Sequence, residues 1–208
     1  MKIISHRGYW NKPEEKNTIQ SFNNTTKFGF GTETDIRDFN TELVISHDIA
    51  TQANVKFNTI LDSFINENLL LALNIKADGL QNLLQQSLKQ YNLTNYFVFD
   101  MSIPDTIQYL NMGFNVFCRQ SEFEPKVPFY NDIKGVWLDA FEKIWYNSNL
   151  VIDHLTNGKQ VCIVSAELHK RDHLSHWRFL KSWSFIQNNH LILCTDYPEE
   201  AKKFFENI

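Results

Sequence analysis

Residues 2–8 of the chain read Lys-Ile-Ile-Ser-His-Arg-Gly, a short apolar run that ends in a histidine and an arginine. A run of this length, bounded by a turn residue, predicts a buried β-strand. Later segments repeat the arrangement, with a short apolar run, a polar residue at its carboxyl end and then a stretch of helical period. This repetition predicts strands and helices that alternate around a parallel sheet.

We expect eight strands, at Lys2–His6, Gly31–Asp35, Leu70–Ile75, Tyr96–Phe99, Asn115–Cys118, Gly135–Leu138, Gln160–Val164 and Leu191–Cys194. Helices are expected at Thr18–Phe28, Leu80–Tyr91, Pro104–Met112, Lys143–Asn157, His173–Ile186 and Pro198–Phe205, with an extra short strand at Leu43–Ser46. Eight strands closed by helices make a (β/α)8 barrel of the TIM type, and 208 residues require a compact one. We expect this α/β barrel to form a single domain over residues 1–208, because no linker or repeat divides the chain.

Polar residues follow almost every expected strand. They are His6, Asp35, Lys76, Asp100, Arg119, Asp139, Glu167 and Asp196. Active sites of (β/α)8 barrels lie at the carboxyl ends of the strands. Turn formers such as Gly, Asn or Pro would be enough there if the positions were only structural. The pattern therefore favours an enzyme.

Composition and charge exclude several classes of protein. The net charge of −4 argues against nucleic-acid binding, which requires clustered Lys and Arg. The three cysteines lack the spacing of a disulfide framework or a zinc site, so we expect reduced core thiols. The chain opens directly on a strand and has no long apolar span, which predicts a cytoplasmic protein. We expect the aromatic residues of 177–185 to face a core rather than a membrane. The oligomeric state is left open.

Five short motifs give the chain a family resemblance. They are His6-Arg7-Gly8, Asn17-Thr18, Glu33-Thr-Asp35, His47-Asp48 and Thr195-Asp196-Tyr197-Pro198. In order and spacing they resemble the glycerophosphodiester phosphodiesterases, and the resemblance spans nearly the whole chain. It implies a TIM-type barrel that uses one divalent cation to hydrolyse a small glycerophosphodiester to an alcohol and a phosphomonoester.

Glu33 and Asp35 form the expected metal site. They lie two residues apart on an expected strand, so both side chains point to the same face. Two adjacent carboxylates repel each other unless they share a cation or a base. Mg2+ and Ca2+ both take oxygen ligands of this kind, and the sequence does not choose between them.

The two histidines, His6 and His47, match the acid–base pair of the family. One would take a proton from the nucleophile, which is water or a hydroxyl of the substrate, and the other would protonate the departing oxygen. Arg7 would bind a phosphate oxygen. Lys76 keeps a cationic position of the family and is expected to contact the phosphate, while Arg119 and Glu167 are expected to contact the rest of the substrate.

The chain departs from the family pattern at two positions. The family usually has Glu-Asn-Thr where this chain reads Lys16-Asn17-Thr18, so a cation replaces an acid unless Glu15 shifts into its place. On the third strand Asn74 stands where the family carries the third acidic ligand. An amide oxygen still coordinates a hard cation but brings no charge, so we expect Asn74 to complete a weaker metal site.

The sequence leaves three interpretations. The preferred one is metal-dependent hydrolysis, by the two histidines, of a small glycerophosphodiester or of a glycerol-phosphate unit joined to a sugar. The second is a barrel that binds such phosphates without turnover, which the loss of an acid at Asn74 suggests. The third is a relative that closes a cyclic phosphate through a hydroxyl of the substrate itself. A binder that turns nothing over has no need of two proton-transfer groups, so the histidine pair favours catalysis.

Overall fold

A computed structural model of the protein describes residues 1–206. The chain divides into two compact units, one of residues 5–116 and the other of residues 1–4 together with the chain from residue 117 on. The first strand, β1 (Lys2–His6), crosses this division. The single domain expected from the sequence stays a prediction. None of the described helices is both long and apolar enough to cross a membrane.

The unit of residues 5–116 contains strands followed by helices. After β1 its elements are α1 (Ile19–Lys27), β2 (Gly31–Phe39), β3 (Glu42–Ile45), β4 (Val55–Lys56), α2 (Phe57–Asn66), β5 (Leu71–Ile75), α3 (Gln81–Gln90), β6 (Tyr96–Phe99) and α4 (Ile103–Asn111). β2 pairs with β5 and β5 with β6, both in parallel. β3 turns back antiparallel to β2, and β4 pairs with β3. The carboxyl ends of β2, β5 and β6 therefore lie at the same edge of the sheet.

Helix starts in this unit follow from capping chemistry. Thr18 caps α1 through its hydroxyl, which accepts a hydrogen bond from the N–H of Ser21. Ser102 caps α4 in the same way, and Pro104 occupies its first turn. Both helices therefore begin within one residue of their predicted starts.

Apart from the start of β1, the other unit contains four parallel strands and three α-helices within the described residues. Its elements are β7 (Phe117–Gln120), β8 (Gly135–Leu138), α5 (Ser148–Thr156), β9 (Gln160–Val164), α6 (His173–Lys181), β10 (Leu191–Thr195) and α7 (Pro198–Glu206). β7, β8, β9 and β10 pair in that order. β8 and β10 are buried along their whole length, so both faces are covered as in an α/β fold.

The expected elements are confirmed with several corrections. α5 begins at Ser148 rather than Lys143, because the Asn147 side chain caps it by accepting the Leu150 N–H. α6 ends at Lys181 instead of running to residue 186. Helix α2 and the short strand β4 were not predicted. β7 starts at Phe117, two residues late, because Val116 makes only an isolated bridge to Val98.

The predicted core residues are confirmed. Cys118, Cys162 and Cys194 are free thiols and buried. Trp177 and Trp183 are also buried, so the aromatic stretch at residues 177–185 packs inside its own unit.

Candidate functional site

Glu33 and Asp35 on β2 lie at the centre of a polar cluster in the unit of residues 5–116. Both side chains are almost fully buried, with exposed fractions of 1% and 0%. The parallel register places Asp35 beside Asn74 of β5. At the end of β1, His6 Nε2 lies 3.8 Å from Glu33 Oε2. The acid pair therefore points inward, toward a histidine and an amide.

Burial disfavours the charged form of the acid pair. Burial, and next the charge of Asp35, raise the pKa of Glu33 to about 8. Within the described chain, three buried oxygens of this cluster accept no hydrogen bond: Glu33 Oε2, Asp35 Oδ1 and Asn74 Oδ1. The Asn74 amide donates to Glu33 through its nitrogen, so its oxygen is left for another partner. Buried polar atoms without partners are costly unless a ligand satisfies them.

These oxygens fit a hard divalent cation. Two carboxylates and one amide carbonyl are ligands that both Mg2+ and Ca2+ accept. Residues 1–206 contain no group of three or more histidine, cysteine or acid side chains placed to hold a metal. Asn74 is the third protein group of this cluster that offers an oxygen to a cation.

Two cationic side chains flank the same acids. Arg7 Nε lies 2.9 Å from Asp35 Oδ2, and Lys76 Nζ lies 3.5 Å from Asp35 Oδ1. Lys76 is also 4.0 Å from Asp100, the residue that follows β6. Asp35 thus pairs with an arginine and a lysine at the ends of neighbouring strands, where both cations can bind an anion.

Asn17 holds this arrangement in place, a role that was not predicted from its place in the Asn17-Thr18 motif. Its side-chain amide donates to Asp35 Oδ2 at 2.9 Å and accepts from the Thr34 hydroxyl at 3.0 Å. Its backbone N–H donates to the Arg7 carbonyl at 2.9 Å. Arg7 and Asn17 both adopt the left-handed conformation, with φ of 60° and 59°. Asn tolerates that conformation better than most residues, which is a usable sequence signal.

The loop after His6 packs directly on α1. Gly8 has φ +84°, and a Cβ there would lie 2.3 Å from the Ser21 hydroxyl oxygen. The Gly8 N–H donates to the Thr32 hydroxyl at 3.0 Å. Only glycine fits this position, because it needs both a positive φ and the absence of a side chain.

An open cleft of about 440 Å³ joins Arg7 to the second predicted histidine. His47 lies on its wall, with half of its side chain exposed, and its Nδ1 is 2.9 Å from Asp48 Oδ1. Residues 16–18 form part of the lining, and the remainder comes from the segment 45–55 that follows β3. The structure thus places His6 beside the acid pair and His47 on a cleft that shares Arg7 with it.

Lys16 lines the cleft, and Glu15 does not. The Glu15 carboxylate accepts the backbone N–H of Asn11 at 2.9 Å and so closes its own turn. Lys16 lines the cleft, and its Nζ lies 4.5 Å from the centre of the Trp10 ring. The cation is therefore a fixed part of the cleft.

The remaining predicted substrate contacts belong to the other unit. Arg119, at the end of β7, pairs with Glu124 at 2.7 Å. The Glu167 carboxylate accepts hydrogen bonds from the Ser165 hydroxyl at 2.5 Å, the Asp196 N–H at 3.0 Å and the Thr195 hydroxyl. Both side chains are engaged with protein groups, and their substrate roles stay predictions.

Asp139, at the end of β8 in this unit, is likewise held by protein groups. Its Oδ1 lies 2.6 Å from His169 Nε2 and accepts the Ala140 N–H at 2.8 Å. The carboxylate is buried, so these bonds replace the water it would otherwise bind.

Comparison with solved structures places the chain in a known fold. A glycerophosphodiester phosphodiesterase from Agrobacterium tumefaciens matches with a TM-score of 0.72 at 13% identity, over 100% of both chains. A phosphodiesterase from Oleispira antarctica, in complex with its product sn-glycerol-3-phosphate, gives 0.71 at 14% identity, over 99% of this chain and 97% of that one. A glycerophosphoryl diester phosphodiesterase from Parabacteroides distasonis gives 0.72 at 15% identity, over 99% and 86%.

No protein-family model matches the sequence, and no curated protein is significantly similar to it. The expected α/β fold of the TIM-barrel type is confirmed by the structural matches. The resemblance to glycerophosphodiester phosphodiesterases is confirmed at the level of the fold.

Proposed function

We propose that the chain is a metal-dependent phosphodiesterase that hydrolyses a small glycerophosphodiester to an alcohol and a phosphomonoester. The observation that carries this proposal is the set of three buried oxygens without hydrogen-bond partners, on Glu33, Asp35 and Asn74. They lie among two cationic side chains and a histidine, at the ends of parallel strands. A purely structural cluster would satisfy these atoms internally.

Glu33, Asp35 and Asn74 would hold one Mg2+ or Ca2+ ion. When bound, that ion supplies positive charge that offsets the charge of the phosphodiester. The residues fit this role because both carboxylates are buried side by side and the amide oxygen beside them has no other partner. With only two charged ligands, the site should bind its ion more weakly than one with three acids.

Arg7 and Lys76 would bind the non-bridging phosphate oxygens. Arg7 Nε lies 2.9 Å from Asp35 Oδ2, and Lys76 Nζ lies 3.5 Å from Asp35 Oδ1. Asn17 fixes Asp35 and the Arg7 backbone at once, so the guanidinium is oriented before substrate arrives. Such preorganised charge is the main source of stabilisation for a phosphoryl transition state.

His6 and His47 would carry the two proton transfers. One imidazole takes a proton from water as the water oxygen bonds to phosphorus. The other gives a proton to the alcohol oxygen as its bond to phosphorus breaks. If a hydroxyl of the substrate attacks in place of water, the same transfers give a cyclic phosphate. Arg119 and Glu167 remain predictions from the sequence as substrate contacts.

The test is hydrolysis of sn-glycero-3-phosphoalcohols followed by phosphorus NMR, with and without EDTA. We expect turnover that EDTA abolishes and added Mg2+ or Ca2+ restores. His6→Ala and His47→Ala should each lower it by about 10²–10⁴-fold. His190→Ala, at an exposed histidine, is the matched control.

The NMR spectrum separates the three interpretations. A phosphomonoester product supports hydrolysis, and a cyclic product supports the cyclising reaction. Binding of the diester without any product would support the second interpretation, a barrel that binds such phosphates without turnover. Equal turnover in wild type and both histidine variants would overturn catalysis at this site.

A further inference from the structure

We propose that Arg37 makes the site favour glycerophosphodiesters whose leaving alcohol carries an anionic group, such as a carboxylate. This inference rests on the proposed phosphodiesterase function and names the substrate class of the same site. Arg37 would bind the anionic group of the alcohol, while Arg7 and Lys76 would bind the phosphate. Because glycerol itself is uncharged, a second anion in such a diester belongs to the leaving alcohol.

The first observation is the position of Arg37 on β2. Side chains alternate along a strand, so Arg37 belongs to the same face as Glu33 and Asp35, two residues nearer the carboxyl end. The neighbouring chain reaches the same level, because the Lys76 N–H donates to the Ile36 carbonyl at 2.9 Å. Two residues of a strand span about 7 Å. Arg37 therefore lies just beyond the place proposed for the phosphate, where a group attached to it would extend.

The second observation is the charge of Arg37. Arg7 and Lys76 both pair with Asp35, whereas Arg37 makes no ion pair within residues 1–206. The adjacent acid, Asp38, is exposed and belongs to the opposite face of the strand. Of the three cations at these strand ends, Arg37 is thus the one whose charge is not paired with a carboxylate of the described chain.

The third observation is the hydrogen bonding of the Arg37 guanidinium. Its Nε is buried and has no hydrogen-bond partner in the described chain, which is costly unless a ligand accepts the proton. Its Nη2 donates to the His47 carbonyl at 3.4 Å, which places the guanidinium beside a residue proposed to act on the substrate. The nearby Asp48 carboxylate is 92% exposed and pairs with the His47 ring. A guanidinium has five N–H donors in a planar fork, and a carboxylate accepts two of them at once.

The test compares sn-glycero-3-phosphoserine with sn-glycero-3-phosphoethanolamine, two diesters that differ only in the carboxylate of the leaving alcohol. Wild type should show about tenfold higher kcat/KM for the serine diester, the effect of one hydrogen bond between charged groups. Arg37→Gln should bring the ratio of the two kcat/KM values close to one. Arg37→Lys should leave about threefold, because lysine keeps the charge without the planar fork. Arg178→Gln removes the same charge from an exposed position on α6 and should leave the ratio unchanged.

Two results would overturn the role of Arg37 and leave the proposed function standing. One is hydrolysis of both diesters by wild type without a preference for serine. The other is an Arg37→Gln variant that lowers both kcat/KM values equally, as expected if Arg37 only positions His47. If neither diester is hydrolysed, the proposed function fails, and calorimetric titration of wild type with each intact diester decides the inference. Tighter binding of the serine diester that Arg37→Gln abolishes supports it, and equal binding or no binding overturns it.

Discussion

The strand ends of residues 5–116 and those of the chain from residue 117 on carry similar side chains in different states. In the first unit, Glu33, Asp35 and Asn74 each keep a buried oxygen that accepts no hydrogen bond. In the second, the Glu167 carboxylate accepts three hydrogen bonds, and Asp139 is held by a histidine and a backbone N–H. We therefore expect an acid at a strand end to bind a ligand only where one of its buried oxygens accepts no hydrogen bond from the protein.

Replacing one acid in each unit should give the largest contrast. Asp35→Asn removes the charge that orients Arg7 and Lys76 and that would hold the cation, so turnover should fall by about 10³-fold. Asp139→Asn should lower the melting temperature, because His169 loses its charged partner, while turnover per folded molecule stays within about threefold. Activity assays with thermal unfolding of both variants provide the measurement. The contrast between the two units is wrong if Asp139→Asn abolishes turnover at an unchanged melting temperature.

Acid should weaken the second unit through His176. This side chain is buried, with its Nε2 2.8 Å from the Tyr146 hydroxyl, and burial, aided by Arg171, lowers its pKa to about 4. The unfolded chain, with a histidine pKa near 6.5, takes up the proton first. Stability from the neutral ring is therefore complete above about pH 6.5 and declines toward pH 4, by roughly 3 kcal/mol in total.

Urea denaturation between pH 7.5 and pH 4 measures this loss. His176→Gln should flatten the profile, and His190→Gln, at an exposed histidine, should not. Equal slopes for wild type and His176→Gln would show that other groups cause the acid sensitivity.

Glu167→Gln should show whether the Glu167 carboxylate has a structural role or contacts the substrate. The new amide nitrogen would face a hydroxyl or N–H donor, so one of three part-buried hydrogen bonds is lost at a cost of about 2 kcal/mol in unfolding free energy. KM should change little. A raised KM at unchanged stability would instead support the substrate role that the sequence predicts for Glu167.

Asn74→Glu should give the smallest but most specific change. A third charged ligand should raise the affinity for Mg2+ or Ca2+ by about tenfold, and Asn74→Ala should lower it. Calorimetric titration of the metal-free protein measures both, with Asn23→Glu on the exposed face of α1 as control. Unchanged affinity in both Asn74 variants would remove this residue from the ligand set.

Most strands of the fold were predictable because they are short apolar runs between polar residues, whereas β4, with two residues, is too short to give such a signal. Helix α2 was missed although Phe57, Ile60, Leu61 and Phe64 have helical spacing and are all buried. Its first turn has no capping side chain, since Lys56 makes no cap hydrogen bond, and so the start signal is absent.

The acid pair was predictable from local periodicity, and its hydrogen-bond state was not. Residues two apart on a strand must share a face, which placed Glu33 beside Asp35. Whether an acid is satisfied depends on partners far along the chain: Glu167 is held by Thr195, 28 residues away. The role of Asn17 was hidden for the same reason, because its contact with Asp35 spans 18 residues.

The close packing of Gly8 on α1 also bears on how this protein could be redesigned. Any side chain at Gly8 would displace the Ser21 hydroxyl, and the adjoining backbone carries His6 and Arg7. Mutant libraries aimed at new substrates should therefore leave residues 6–8 constant. Diversity belongs in positions 49–53, where most residues are exposed and varied side chains can be accepted while the reacting groups keep their places.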